Sequence, residues 1–262
     1  MSTNLNVAPY YDDFDETKGF QQIVFKPGYA VQARELTQMQ SIIKDQIAKF
    51  GNHIFQHGSV VIPGNSFFDN SVPYVKVATI SAEAKALLLQ ASINSVTLVG
   101  TTGGARAVIK KVVDSTSTDT LTLYVGFTKG NSFANSETLQ IEGTVYTLTL
   151  PSSEATGLGS MAFVNKGVYY VNGEFGLILG QSVITSKYTS TPSCKVLVKT
   201  SSTIVSSDQD ETLLDPAQGS YNFSAPGADR IKLFLELTTA TIEETVSTDC
   251  FELLRLEDGV LI

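Results

Sequence analysis

His53 and His57 stand four residues apart and are the two histidines of the chain. In a regular strand that spacing puts both imidazoles on one face, where they could begin a metal site or pass a proton. Zinc needs three or four ligands, however, and neither a Cys nor a carboxylate stands at motif spacing beside the pair. The acidic run Asp12, Asp13, Asp15 and Glu16 lacks the calcium-loop register, in which ligands alternate and a Glu closes the loop at about position twelve. Salt-bridged or solvated carboxylates are the simpler reading. "GLGSM" (residues 157–161) misses the GxSxG nucleophile elbow, Gly103-Gly104 reads as a turn, and neither a Walker loop nor GxGxxG occurs. No catalytic, cofactor-binding or metal-ligating residue is therefore expected. The histidines are expected to be packed or on the surface, with a pH-sensitive interface left open. Cys194 and Cys250 show no motif spacing and are expected as reduced, small core residues.

With a formal net charge of −8 over 262 residues, nucleic acid is not an expected partner, because phosphate neutralisation needs clustered Lys and Arg. The length suffices for one large or two modest domains. Hydrophobic residues make up 42% and charged ones 17% of the chain, with Ser, Thr, Asn, Gln and Gly filling much of the rest, a balance that suits β-rich surfaces and their turns. The N-terminus MSTNLNVAPYYDD has neither the basic start nor the apolar run of a secretion signal, so synthesis in a cytoplasm is expected. The longest apolar candidate, "ALLLQA" (residues 86–91), falls far short of the about 18 residues of a membrane span, so no membrane insertion is expected.

With chemistry scarce, the elements themselves carry the information. Residues up to about 30 read as an irregular arm, punctuated by Pro9, Gly19 and Pro27-Gly28. Tyr10, Tyr11, Phe14, Phe20 and Phe25 lie within it and are costly to leave in water. Either the arm presses them onto a partner, or it folds over its own core. Over residues 31–50 the spacing becomes helical: Leu36, Met39, Ile43, Ile47 and Phe50 recur at steps of three and four, and Gly51 sits where a left-handed cap would stop the helix. This stripe predicts either a core-facing amphipathic helix or a seam shared between subunits, and Gln46 interrupts a strict heptad.

"HIFQHGSVVIPG" (residues 53–64) predicts a bent strand or strand pair broken at Gly58. Short strands follow at "YVKVATI", "SVTLVG", "ARAVIKKVV", "DTLTLYVGF", "ETLQIEG" and "TVYTLTL", with a short helix over "AEAKALLLQA" (residues 82–91). Tyr124 and Tyr146 in this stretch could stack on sugars or pack within strands. Residues 151–160 read as a loop or linker. Asn172-Gly173 predicts a type I′ hairpin, and "CKVLVKT", "RIKLFLELTTA" and "FELLRLE" read as strands separated by the long loop "LLDPAQGSYNFSAPGAD" (residues 213–229). Its "SAPGADR" tip, with Asp229 beside Arg230, reads as a structural turn ahead of a binding site. Asp258-Gly259 signals a further hairpin with Val260, Leu261 and Ile262 on the returning side, as expected if the chain continues. The fold class expected is mainly β (α+β): an arm, helix and strand over 1–64, an inserted β-subdomain over 65–155, and a second β-rich part over 156–262.

Three phrases add a resemblance. "FKPGYAVQARELTQMQSIIKDQIAKFGNHIFQHGSVVIPG" (residues 25–64), "GVYYVNGEF" (167–175) and "LLDPAQGSYNFSAPGADRIKL" (213–233) resemble an N-terminal domain of unknown function found in tail-fibre and other virion structural proteins of contractile-tailed bacteriophages, including cyanophages. The resemblance implies a virion component rather than an enzyme, located in the tail or baseplate region. It implies docking on baseplate or tail proteins and assembly as a homo-oligomer, a trimer being common among such fibres. A baseplate, neck or other adaptor is the alternative within that class, and a carbohydrate-binding receptor module the alternative outside it.

Overall fold

The structure, a computed structural model, describes residues 3–90 and 96–262. The arm leads through a 3-10 turn at Glu16–Lys18 into α1 (Ala33–Ile54). There follow β1 (Val60–Ile62), β2 (Ser66–Lys76), β3 (Thr79–Ile80), α2 (Ala82–Gln90), β4 (Thr97–Gly100), β5 (Arg106–Val113), β6 (Thr122–Lys129), β7 (Thr138–Ile141) and β8 (Thr147–Thr149). The second half is β9 (Thr156–Val164), β10 (Gly167–Val171), β11 (Glu174–Ile178), β12 (Gln181–Ser186), β13 (Cys194–Val205), β14 (Arg230–Ala240), β15 (Cys250–Glu257) and β16 (Val260–Leu261). The protein is a mainly β, α+β fold with antiparallel sheets, as its composition and alternation predict. Ala91 and Ser95, the ends of the expected α2 and β4 segments, lie outside the described residues.

Three sheets organise these strands. β1-β10-β11 form a small sheet, β12-β9-β2-β6-β5-β4-β7-β8-β3 a nine-stranded one, and β14-β13-β15-β16 a third. One core cluster gathers Leu98, Ile109, Leu123, Leu139 and Leu148 with Ala84 and Leu88 of α2, all from residues 75–155. A second joins the small sheet to the third through Tyr169, Ile178, Val198, Leu235 and Phe251. The nine-stranded sheet is continuous across the expected 155/156 boundary, because β9 pairs with both β2 and β12.

Of residues 151–160, expected as a loop or linker, 151–155 are outside any strand, and 156–160 instead begin the central strand β9. Two glycines of this stretch are close-packing positions: a Cβ on Gly157 would stand 2.5 Å from the Tyr74 hydroxyl, and one on Gly159 2.6 Å from the Lys187 carbonyl and 2.9 Å from the Tyr124 ring. Tyr124 is fully buried, with its hydroxyl donating to the Lys187 carbonyl, so it offers no stacking face. Tyr146 packs against the first core cluster. The bent strand expected over 53–64 is also corrected: His53 and Ile54 end α1, and only Val60–Ile62 is strand.

The Asn172-Gly173 turn is as expected, with φ of 48° and 92°, the left-handed pair that a type I′ hairpin requires. It joins β10 to β11 in regular register, Tyr170 facing Phe175.

Candidate assembly surface

Gly51 does not end α1. The helix runs on to Ile54, and Gly51 is one of its buried residues, because the outer end of the Tyr170 ring comes up against it: a Cβ there would be 2.5 Å from both the ring edge and the hydroxyl. The Tyr170 hydroxyl shares its proton between the Ala48 carbonyl at 3.0 Å and Asn52 Oδ1 at 2.9 Å. Lys44 pairs with Glu174, and a Cβ on Gly173 would meet that of Ala48 at 2.9 Å. The C-terminal half of α1 thus sits on the β10–β11 hairpin through small and polar residues. Phe55, just past its end, packs on Tyr170 and edge-on to Phe175.

The acidic run fastens the arm to another face of the helix. Asp12, almost fully buried, accepts from the Ser41 hydroxyl and the Phe14 amide. Asp13 accepts from Arg34 at 3.3 Å and Gln38 at 3.1 Å. Asp15 caps the 3-10 turn by accepting from the Thr17 hydroxyl and amide, which holds its carboxyl below the usual range. Glu16 reaches Lys49 at 3.2 Å. These carboxylates act as clasps, and among the described residues no cluster of His, Cys, Asp or Glu could hold a metal ion.

With both of those faces occupied, the apolar stripe is left outside. Leu36, Met39, Ile43, Ile47, Phe50 and Ile54 are all exposed, from 39% at Met39 to 67% at Phe50. Of the two readings of this stripe, burial against the chain's own core is not what the fold does with it. Such helices normally bury the apolar side; α1 buries only Ile42 and Gly51, beside the arm and the hairpin, and leaves the stripe in solvent.

The arm divides likewise. Tyr10 and Phe14 are half-buried, and the Tyr10 hydroxyl donates to Asp229, whose carboxylate holds that hydroxyl above the ordinary tyrosine range. Tyr11, Phe20 and Phe25 are exposed. So are Val24, Tyr29 and Val31, which spacing alone did not single out. After the 3-10 turn the chain doubles back along α1, with Gln21 bonded to Gln46 at 3.2 Å.

A third apolar strip lies on the outer face of the small sheet, where Ile62, Phe175, Leu177 and Leu179 are exposed. The alternation in "GEFGLILG" carries a two-residue period that could have revealed it. Ile54 was hidden by the assumption that Gly51 stopped the helix.

The remaining candidates are structural. His53 is exposed on the last turn of α1, while His57 accepts from the Asn172 amide at 3.3 Å and meets Phe251 edge-on; the two share no strand. Cys194 and Cys250 are free thiols, Cys194 buried and pushed up by that burial, Cys250 only partly buried. In the long loop, the Asp229 carboxylate serves Tyr10, while Arg230 donates to the backbone carbonyls of Ala228 and Asp229. A cleft of about 560 Å³ beside them is lined by Leu213, Asp215, Asn222, Pro226 and Arg230.

Residues 8–135 and 140–262 match the family described as a domain of unknown function, DUF4815, and the chain belongs to that family. No curated protein and no solved structure matches the chain.

Proposed function

We propose that this chain is a structural protein of a phage virion, the proximal region of a tail fibre, which assembles as a homotrimer and docks on baseplate or tail proteins. Its role is mechanical: to hold copies together and transmit position along the fibre. The observation that carries the reading is the apolar stripe of α1 from Leu36 to Ile54, which faces solvent although the arm and the β10–β11 hairpin already occupy other sides of the helix. Exposed apolar surface of this kind marks an interaction site. The resemblance of residues 25–64, 167–175 and 213–233 to tail-fibre and virion domains supports the virion class.

The test is location. Peptides of this chain should be recovered by mass spectrometry from purified virions, and gold-labelled antibody against it should decorate the tail end where fibres join. Recovery only from the lysed-cell fraction would refute the reading. Label confined to the neck or the body of the baseplate would favour the adaptor alternative.

A further inference from the structure

The apolar surface of one copy has two different edges, and they suit each other. At about 100° per residue, Gln46 borders the α1 stripe on one side, while Lys44 and Gly51 border it on the other. The Gln46 side carries the returning limb of the arm, through Gln21. The Lys44 and Gly51 side carries the β10–β11 hairpin, through Glu174 and Tyr170. When helices meet in a ring around a shared seam, the left flank of each meets the right flank of the next. The arm of one copy then meets the small sheet of its neighbour.

Resting on the trimer reading above, we infer that the returning limb, residues 20–31, packs its apolar side chains on the exposed outer face of β1 and β11 of the adjacent copy, against Ile62, Phe175 and Leu177. The occupant of that sheet face is thus a second copy of this chain. Area supports the choice. The exposed side chains of the limb and stripe amount to on the order of 1,000 Å² per copy if a fully exposed aromatic is about 200 Å². That exceeds the about 300–600 Å² typical of the largest patch on a monomer and reaches the about 800 Å² per partner of a stable interface.

Reach supports it too. From Gln46 back to the helix start at Ala33 is about 20 Å at 1.5 Å per residue, whereas residues 21–32 can extend to about 40 Å. The limb has contour to spare for crossing to a neighbour. The stripe also fits a shared straight axis: its steps of three, four, four, three and four residues average about 3.6 per turn, the period of an unsupercoiled helix.

The experiment places Cys pairs across the contact in a Cys250→Ser background: Val24→Cys with Leu177→Cys, and Phe20→Cys with Leu177→Cys. With Cys194 buried, oxidation of the assembled protein should give covalent trimers on denaturing gels, whereas a chain carrying only one of the introduced Cys should give nothing beyond a dimer. A purely intrachain disulfide would show that the limb folds back on its own sheet and overturns the inference. So would an assembled trimer, by light scattering, in which neither pair cross-links; that outcome leaves the helix seam standing. A monomeric mass at every concentration overturns both the inference and the self-assembly on which it rests.

Discussion

Replacing Gly51 by Ala sets two physical effects against each other at one atom. In the interior of a helix, Gly to Ala normally stabilises by about 1 kcal/mol. Here the added methyl would stand 2.5 Å from the Tyr170 ring edge and hydroxyl and 2.7 Å from its Cζ, well inside contact distance. Tyr170 is almost fully buried and cannot swing clear, so either the ring or the helix must shift. Overpacking of this kind costs about 1–3 kcal/mol. A shifted ring also loses its hydroxyl bonds to Ala48 and Asn52, at about 1 kcal/mol net for the shared proton. The expected balance is a loss of about 2 kcal/mol, read as a lower midpoint at unchanged slope in urea unfolding. Tyr170→Phe alone should cost only the hydroxyl part, and Gly51→Ala should cost less in a Tyr170→Leu background than in the native one. If Gly51→Ala raises the midpoint, Gly51 is an ordinary helix glycine and the packing argument fails.

Three further outcomes follow from the same contacts. Glu137 is buried and its carboxylate accepts from the amides of Thr102, Gly103 and Ala134; Glu137→Ala should destabilise by about 2–4 kcal/mol by orphaning those donors, measured by urea unfolding. Asp12→Ala removes the clasp to Ser41 and the Phe14 amide, so limited proteolysis should cut within residues 13–31 several-fold faster while the β core resists. Asp119 is held below the usual carboxylate range, chiefly by its hydrogen bonds with Lys187 and Tyr188. Its contribution is therefore present above the unfolded value of about 3.9 and lost as pH falls through the lower folded value. Asp119→Asn should flatten the acid limb of the stability curve between about pH 4 and pH 2, and an unchanged limb would contradict the assignment.

Local signals in the sequence were reliable where one residue type has one backbone use. Asn172-Gly173 and Asp258-Gly259 both make the expected turns, with positive φ at all four residues. The α1 stripe was legible from spacing, and so were most strands, from β-branched alternation. Glycines serving as packing gaps were not. Gly51, Gly157 and Gly159 each give way to a tyrosine distant in sequence, Tyr170, Tyr74 and Tyr124 respectively, and nothing local distinguishes that use from a cap or a linker. The direction of the α1 stripe was equally hidden. Periodicity says that Leu36, Ile43 and Phe50 share a face, but whether that face meets a core depends on the arm clasps at Asp12 and Asp13 and the Tyr170 contact at Gly51, all long-range. The sheet strip of Phe175 and Leu177 was written as alternation in a strand whose other face, Gly176 and Ile178, fills the core.

On the reading proposed above, the outward stripe of α1 joins copies of this chain. The most direct test is the absolute mass of the recombinant protein by light scattering after gel filtration, for the native chain and for Ile43→Asp, at several concentrations. Ile43 is half-exposed, so its replacement leaves the fold of one copy intact. The expected result is a native mass near three times 28.2 kDa that falls to the single-chain value in the variant while circular dichroism stays unchanged. A native chain that remains at the single-chain mass throughout, or an oligomer that Ile43→Asp does not disturb, would contradict it.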